Sequence, residues 1–195
     1  MKLPSGAHTS HDWLIHRVTH DFHLEDVWAL PTPGGPDDFP QLLETFFQAD
    51  FVGQSSLPTR VLWAARWKLG ALFGWDEKKA GLGKRVPTLR DRLPADVRER
   101  PTGPGIGKPF SMLYRLEDEW AAEMANRTVH AVLHLAWVPD GHGGHRGQMA
   151  VLVRPNGLFG TAYMAAIKPF RYLVVYPQMM RWWARNWERR APSPA

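Results

Sequence analysis

Hydrophobic and polar positions along the chain change period, and the changes mark out its elements. From Phe110 the period is two. Met112, Tyr114 and Leu116 alternate with Ser111, Arg115 and Glu117, and EWAAEM (119–124) makes a shorter second run, so each predicts a strand. RTVHAVLHLAWV (127–138) is the clearest strand. One face carries Val129, Ala131, Leu133, Leu135 and Trp137, and the other Thr128, His130, Val132, His134 and Ala136. PDGHGGH closes a hairpin to RGQMAVLVRP, where Met149, Val151 and Val153 alternate with Gln148, Ala150 and Leu152. Beyond Leu158 the step switches to four and three. Leu158, Ala162, Ala165, Pro169, Leu173, Tyr176, Met180, Trp183 and Trp187 form one apolar stripe on a long helix, backed by Arg171, Gln178, Arg181, Arg185 and Glu188. Pro169 and Pro177 should kink or segment that helix without abolishing it.

The amino-terminal half is less regular. Residues 1–10 read as a loose leader, and HDWLIHRVTHDF (11–22) as a first strand. Pro31, Pro33, Gly34, Gly35 and Pro36 mark a loop. Asp37 or Asp38 caps a short helix through Gln48 that buries Leu42, Leu43, Phe46 and Phe47. A second helix starts at Pro58 and carries Val61, Leu62, Ala65, Leu69 and Leu72 to Gly74. Residues 76–109 are rich in Gly and Pro and read as a long loop, a lid or an insertion, with one helical turn near Leu89. These pieces predict one α+β domain over 11–190 and a tail at 191–195. Its antiparallel meander is crossed by the carboxyl helix, with two shorter helices after the first strand.

Composition narrows the function classes. Hydrophobic residues at 44% and charged residues at 22% fit a globular domain with a sizeable core, to which 10 Trp contribute. The absence of cysteine excludes disulfides and thiolate chemistry. MKLPSGAHTSHDW has no apolar core of a signal peptide, and no window reaches the ~18 apolar residues of a spanning helix, so a cytoplasmic protein is expected. A net charge of +5 is spread over scattered arginines, which reads as solvated surface, so nucleic acid is not expected as a partner. RWWARNWERR at the carboxyl end suits an anionic membrane surface or a nucleic-acid backbone. The favoured reading instead packs its tryptophans while its arginines reach for water.

DVWALPTPGGPDDFP (26–40), WAARWKLGALFGWD (63–76), NRTVHAVLHLAWVPDG (126–141) and RPNGLFGTAYMAAIKPFRYLVVYP (154–177) resemble an uncharacterised, mostly actinobacterial family of domain-of-unknown-function proteins in the START-like helix-grip superfamily. The resemblance implies a sheet wrapped around a long carboxyl-terminal helix, and a cavity for lipids, polyketides or other hydrophobic molecules. The chain departs from that pattern twice. It offers five strands where a full helix-grip sheet has about seven, and it carries Pro169-Phe170-Arg171 where the wider family often has Pro-Phe-His. No proton-transfer role carries over to that position.

An apolar cavity between sheet and helix would be lined by Trp120, Met124, Leu133, Leu135, Trp137, Met149 and Val151 on the sheet, and by Tyr163, Ile167, Leu173 and Met180 on the helix. The competing reading is a close-packed core. For an enzyme of cyclase, hydratase or hydrolase type, His130, His134 and Tyr163 are the acid–base candidates. His130 and His134 project from one strand face about 13 Å apart, at ~3.3 Å per residue, too far to share a metal ion. They lie opposite the apolar row and read as solvated or loop-covered, and Glu119 and Glu123, with the parity of that same polar face, read as solvated charge. His142 and His145 lack carboxylate or cysteine neighbours at ligand spacing. His16, His20 and His23 have Arg17 where a zinc-protease motif needs glutamate. No metal and no cofactor is expected. A hydrophobic small molecule is the expected partner, and oligomeric state is left open.

Overall fold

The computed structural model describes residues 1–48, 82, 86–101 and 110–189. Six strands make one antiparallel sheet in the order β1-β2-β6-β5-β4-β3: β1 (Lys2–Leu3), β2 (His23–Gly34), β3 (Ser111–Arg115), β4 (Glu119–Ala125), β5 (Val129–Pro139) and β6 (His145–Pro155). The last four follow the period-two pattern, and β3, β4, β5 and β6 pair in succession as a meander. β2 then returns to pair with the last strand, β6.

The amino-terminal expectations change most. Within 11–22 the chain forms a helix, α2 (Leu14–Val18), after a four-residue turn of helix, α1 (Gly6–Thr9). Ile15 and Val18, three apart, are its buried pair, so burial at helical spacing overrides their preference for strands. The first long strand is instead β2, which runs through the proline cluster expected to be loop. β1 covers Val27 and Trp28, and Met1 exchanges backbone hydrogen bonds with Ala29, so beyond Ala29 β2 is an outer edge of the described sheet. Its pairing with β6 shifts between Ala29 and Pro33, and a proline in such a place has no ladder donor to lose. Residues 1–10, expected as a loose leader, pair with β2 through Lys2 and Leu3 and carry fully buried His8.

Helix α3 (Phe39–Phe47) follows its sequence signals, with Asp38 at the cap position and Leu42, Leu43 and Phe46 buried. The Asp38 carboxylate accepts from the Gly35 amide rather than from the helix. The helix expected at 57–74 lies outside the described residues. Within 86–101 the expected turn is a short 3-10 helix (Leu89–Arg92), followed by α4 (Ala95–Arg98). Leu89, Leu93 and Val97 there belong to the core. In β3 a bulge between Met112 and Tyr114 turns Leu113 and Tyr114 into the same apolar cluster, so strict alternation fails at that point.

The carboxyl rod is segmented between its two prolines. α5 (Gly157–Phe170) passes into a π-helical stretch (Arg171–Val175) and then α6 (Tyr176–Glu188). The Tyr176 amide donates to the Arg171 carbonyl, five residues back. The wider turn slips the phase of everything after it, so a stripe counted at one period cannot stay on one face. Tyr176 and Trp183 are buried, whereas Leu158 is 90% and Leu173 77% exposed.

Both faces of the sheet are covered. α3 and α6 lie over Leu135, Trp137 and Met149. The residues around Trp13, Ile15, Val18, Leu89 and Leu93 lie over Val132, Ala136, Ala150 and Leu152.

Candidate functional site

On the second of these faces, β4 and β5 bring two glutamates beside two histidines. Ala121 pairs with His134 and Glu123 with Val132, so Glu119 and His134 are diagonal neighbours, as are Glu123 and His130. Diagonal positions are within reach of long side chains. His134 Nε2 stands 2.9 Å from Glu119 Oε2, and His130 Nε2 stands 2.8 Å from Glu123 Oε2. All four residues are buried, which corrects the expectation that these glutamates are solvated. The loop-covered alternative for the histidines holds.

Each carboxylate is anchored further. Glu119 accepts from the Leu14 amide at 3.0 Å and from the Tyr114 hydroxyl at 2.8 Å. Glu123 accepts from the Leu89 amide at 3.1 Å and from the Thr88 hydroxyl. The elements that cover this face thus also satisfy the charges beneath them, without which the burial would be prohibitive.

The Glu119 pair continues outward. His134 Nδ1 is 3.0 Å from His8 Nε2, and His8 Nδ1 is 3.0 Å from His16 Nε2. Three imidazoles therefore run in series from a buried carboxylate to a cleft of about 200 Å³ lined by His8, Thr9, His16, Thr19, His20, Phe22, Leu24 and Leu152. Burial, then the neighbouring His134 and His16, holds His8 down at about 2, and burial lowers His16 as well, so both rings are neutral near pH 7. Burial pushes Glu119 up. The His134 hydrogen bond and charge, with the Leu14 amide and the Tyr114 hydroxyl, outweigh it and hold the carboxyl below its ordinary range.

An ionised Glu119 fixes the tautomers of the chain. His134 must donate through Nε2, so its Nδ1 accepts from His8 Nε2–H, and His8 Nδ1 accepts from His16 Nε2–H. The outermost basic lone pair is then His16 Nδ1. Among the described residues no group of three or more His, Asp or Glu is placed to hold a metal ion, and these three rings bond to one another rather than converge.

The other face is different in kind. Trp120, Leu135, Trp137 and Met149 are sealed into the core, with Leu133 and Met180 packed at its margin. Val151, Met124, Tyr163 and Ile167 are half-buried, and Leu173 is exposed. Tyr163 is not among the residues lining the cleft. Arg171 is half-buried against β2, where the Asp26 carboxylate accepts from Arg171, from the Tyr172 hydroxyl and, at 2.7 Å, from the Tyr176 hydroxyl. That cluster ties the π-helical stretch to the sheet. Trp182 and Trp183 are packed while Arg181, Arg185 and Arg189 are exposed, as the favoured reading of the tail expects. No helix among the described residues is long and apolar enough to cross a membrane.

A family model described as protein of unknown function (DUF2867) matches residues 18–178. The chain belongs to the DUF2867 family. No curated protein and no solved structure matches it. Both Glu–His pairs lie inside the range matched to DUF2867, whereas His8 and His16 precede it.

Sequence reasoning missed His8 altogether and set His16 aside, because no local spacing links either ring to His134. One signal was available for the inner pairs. Glu119 and Glu123 are four apart, as are His130 and His134, on adjoining strands of one hairpin with matching parity.

Proposed function

We propose that this protein is an acid–base enzyme acting on a small molecule held in the cleft at His16. Supporting this is one observation above the others, the unbroken series Glu119–His134–His8–His16 that ends at the cleft wall. When His16 Nδ1 takes a proton from a bound molecule, its Nε2 proton passes to His8 Nδ1, and the His8 Nε2 proton passes to His134 Nδ1. The positive charge comes to rest on His134 against Glu119, the place on the chain best able to hold it. His8 conducts the proton without keeping it, in line with its strong preference for the neutral form. Run backwards, the same series makes His16 an acid. Proton transfer by a positioned group contributes about 10²–10⁴-fold to a rate.

The direct test is turnover of two probes: hydrolysis of p-nitrophenyl acetate, and deuterium exchange into the α-protons of small ketones. Activity that falls about 10²-fold or more in His16→Gln, and to a similar degree in Glu119→Gln, is expected. A wild-type protein inert to both probes, or activity indifferent to His16→Gln, would sink the reading.

A second reading keeps the START-like helix-grip expectation of a hydrophobic ligand between sheet and carboxyl helix. It is supported by the return of β2 beside β6 and by the half-buried Met124, Leu133, Val151, Tyr163 and Ile167. Thermal shift against lipid and polyketide panels tests it, and a Leu133→Trp protein that responds like wild type would argue against this location.

A further inference from the structure

The Glu123–His130 pair takes no part in the relay, yet it carries an unmet hydrogen-bonding group. His130 is buried, its Nε2 is held by Glu123, and its Nδ1 has no partner among the described residues. Buried polar groups are nearly always satisfied, so an orphan on a side chain fixed at its other end calls for an explanation. Glu123 is fixed in turn by the Leu89 amide and the Thr88 hydroxyl, so the imidazole cannot simply turn away from its carboxylate.

The neighbour that matters is Phe22. Its ring lines the cleft and also meets the His130 imidazole edge-on, with centroids 4.9 Å apart. The Arg154 guanidinium lies over Phe22 at 5.6 Å and is itself bonded to Asp21 at 2.6 Å. Leu152, another cleft residue, pairs with Val132, the next residue but one on the His130 face of β5. The cleft wall nearest His130 is therefore apolar, made by Phe22, Leu24 and Leu152, and its Phe22 ring packs directly against the His130 imidazole.

We propose that His130 and Glu123 form a second acceptor site, reached from the cleft past Phe22, that binds the hydroxyl or N–H of an apolar small molecule. A neutral His130 that gives its Nε2–H to Glu123 presents Nδ1 as a lone pair, and in that form the site takes a donor and turns away carbonyls and anions. Together with His16 at the other end, it defines a substrate with an apolar body and a donor group remote from the atom that loses or gains a proton. In that respect the proposal rests on the acid–base reading, although the acceptor site can exist without it.

Phenol is the probe, with an apolar ring and one hydroxyl. In ¹⁵N-histidine-labelled protein, assigned with His130→Gln, phenol should move the His130 Nδ1 signal saturably toward its hydrogen-bonded position. Phenol should bind more tightly to Phe22→Ala, and roughly fivefold more weakly once the acceptor is removed in His130→Phe, as for one hydrogen bond. Phe22→Trp, which leaves both Glu–His pairs intact, should abolish the response. A His130 Nδ1 signal unmoved by phenol in both wild type and Phe22→Ala overturns the proposal, as does a response undiminished by Phe22→Trp. His8, His16 and His134 report in the same spectra. A phenol response at His130 in a protein without turnover leaves this site standing and removes the relay, and the reverse result does the opposite.

Discussion

The same strands build two unlike faces. Over Leu135, Trp137 and Met149 lie helices of nine and thirteen residues, and the space between is filled by aromatic rings, with Phe46 stacked on Trp183 at 6.1 Å. Over Val132, Ala136 and Ala150 lie pieces of four or five residues, α2, the 3-10 turn and α4. Long helices present continuous apolar stripes that close-pack. Short pieces present separate side chains and backbone ends, which leave room for a cleft and supply the amides of Leu14 and Leu89 to buried carboxylates. The difference teaches that a sheet face roofed by fragments can bury charge, because fragment ends carry free donors.

The comparison breaks most sharply on the filled face. Trp183→Ala should lose about 3–5 kcal/mol, since it removes a large, wholly buried ring from a solid cluster. Urea denaturation reads this directly, and a loss below ~1 kcal/mol would mean the packing there is loose. On the roofed face the largest effect should come from the charges. Glu119→Gln should lose about 1.5–3 kcal/mol, the range for hydrogen bonds to a charged group. Because Glu119 and His134 act together, the double variant with His134→Gln should be no worse than the more harmful single one. Strict additivity in that cycle would deny the coupling.

How much of this was legible along the chain follows the same division. The filled face could be read because its signal is local. Leu133, Leu135 and Trp137 alternate on β5, Leu42, Leu43 and Phe46 follow a helical step, and an aspartate stands at the cap position before them. The rod could be read as helix, but its burial could not, because the π-helical turn after Pro169 changes the phase and no residue announces it. The roofed face was legible only to the parity of His130 and His134. What gives those residues meaning is contact with His8 and Leu14, more than a hundred positions away, in a segment whose Ile15 and Val18 favour strands until they find a surface to pack on. Long-range pairing between polar groups leaves no period to detect.

The relay makes the roofed face acid-sensitive in a way the filled face is not. His8 and His16 are kept neutral in the folded chain, while the unfolded chain takes up protons below the ordinary imidazole value of 6.5. The unfolded state thus binds more protons, and stability is complete above about pH 6.5. For His8 it should be lost as pH falls from there toward about 2, by up to ~1.4 kcal/mol per pH unit, and the lowered His16 adds a smaller loss in the same direction. His8→Gln should flatten that limb between pH 6.5 and 5 in denaturation midpoints. An unchanged slope would mean that His8 titrates freely.

The smallest effect sharpens the filled face. In α6, Trp182 and Trp183 are packed while Arg181 and Arg185 point to solvent. Changing both arginines to glutamate reverses four charges' worth of local field, yet it removes no buried atom and leaves the ring cluster alone. Exposed charges at such positions contribute little, so the double variant should unfold within about 0.5 kcal/mol of wild type. A loss above ~1 kcal/mol would mean that the arginine stems cover apolar surface and belong to the packing beneath them. The filled face would then extend outward to the charged rim, and its contrast with the roofed face would lie in how each uses charge rather than in whether charge is present.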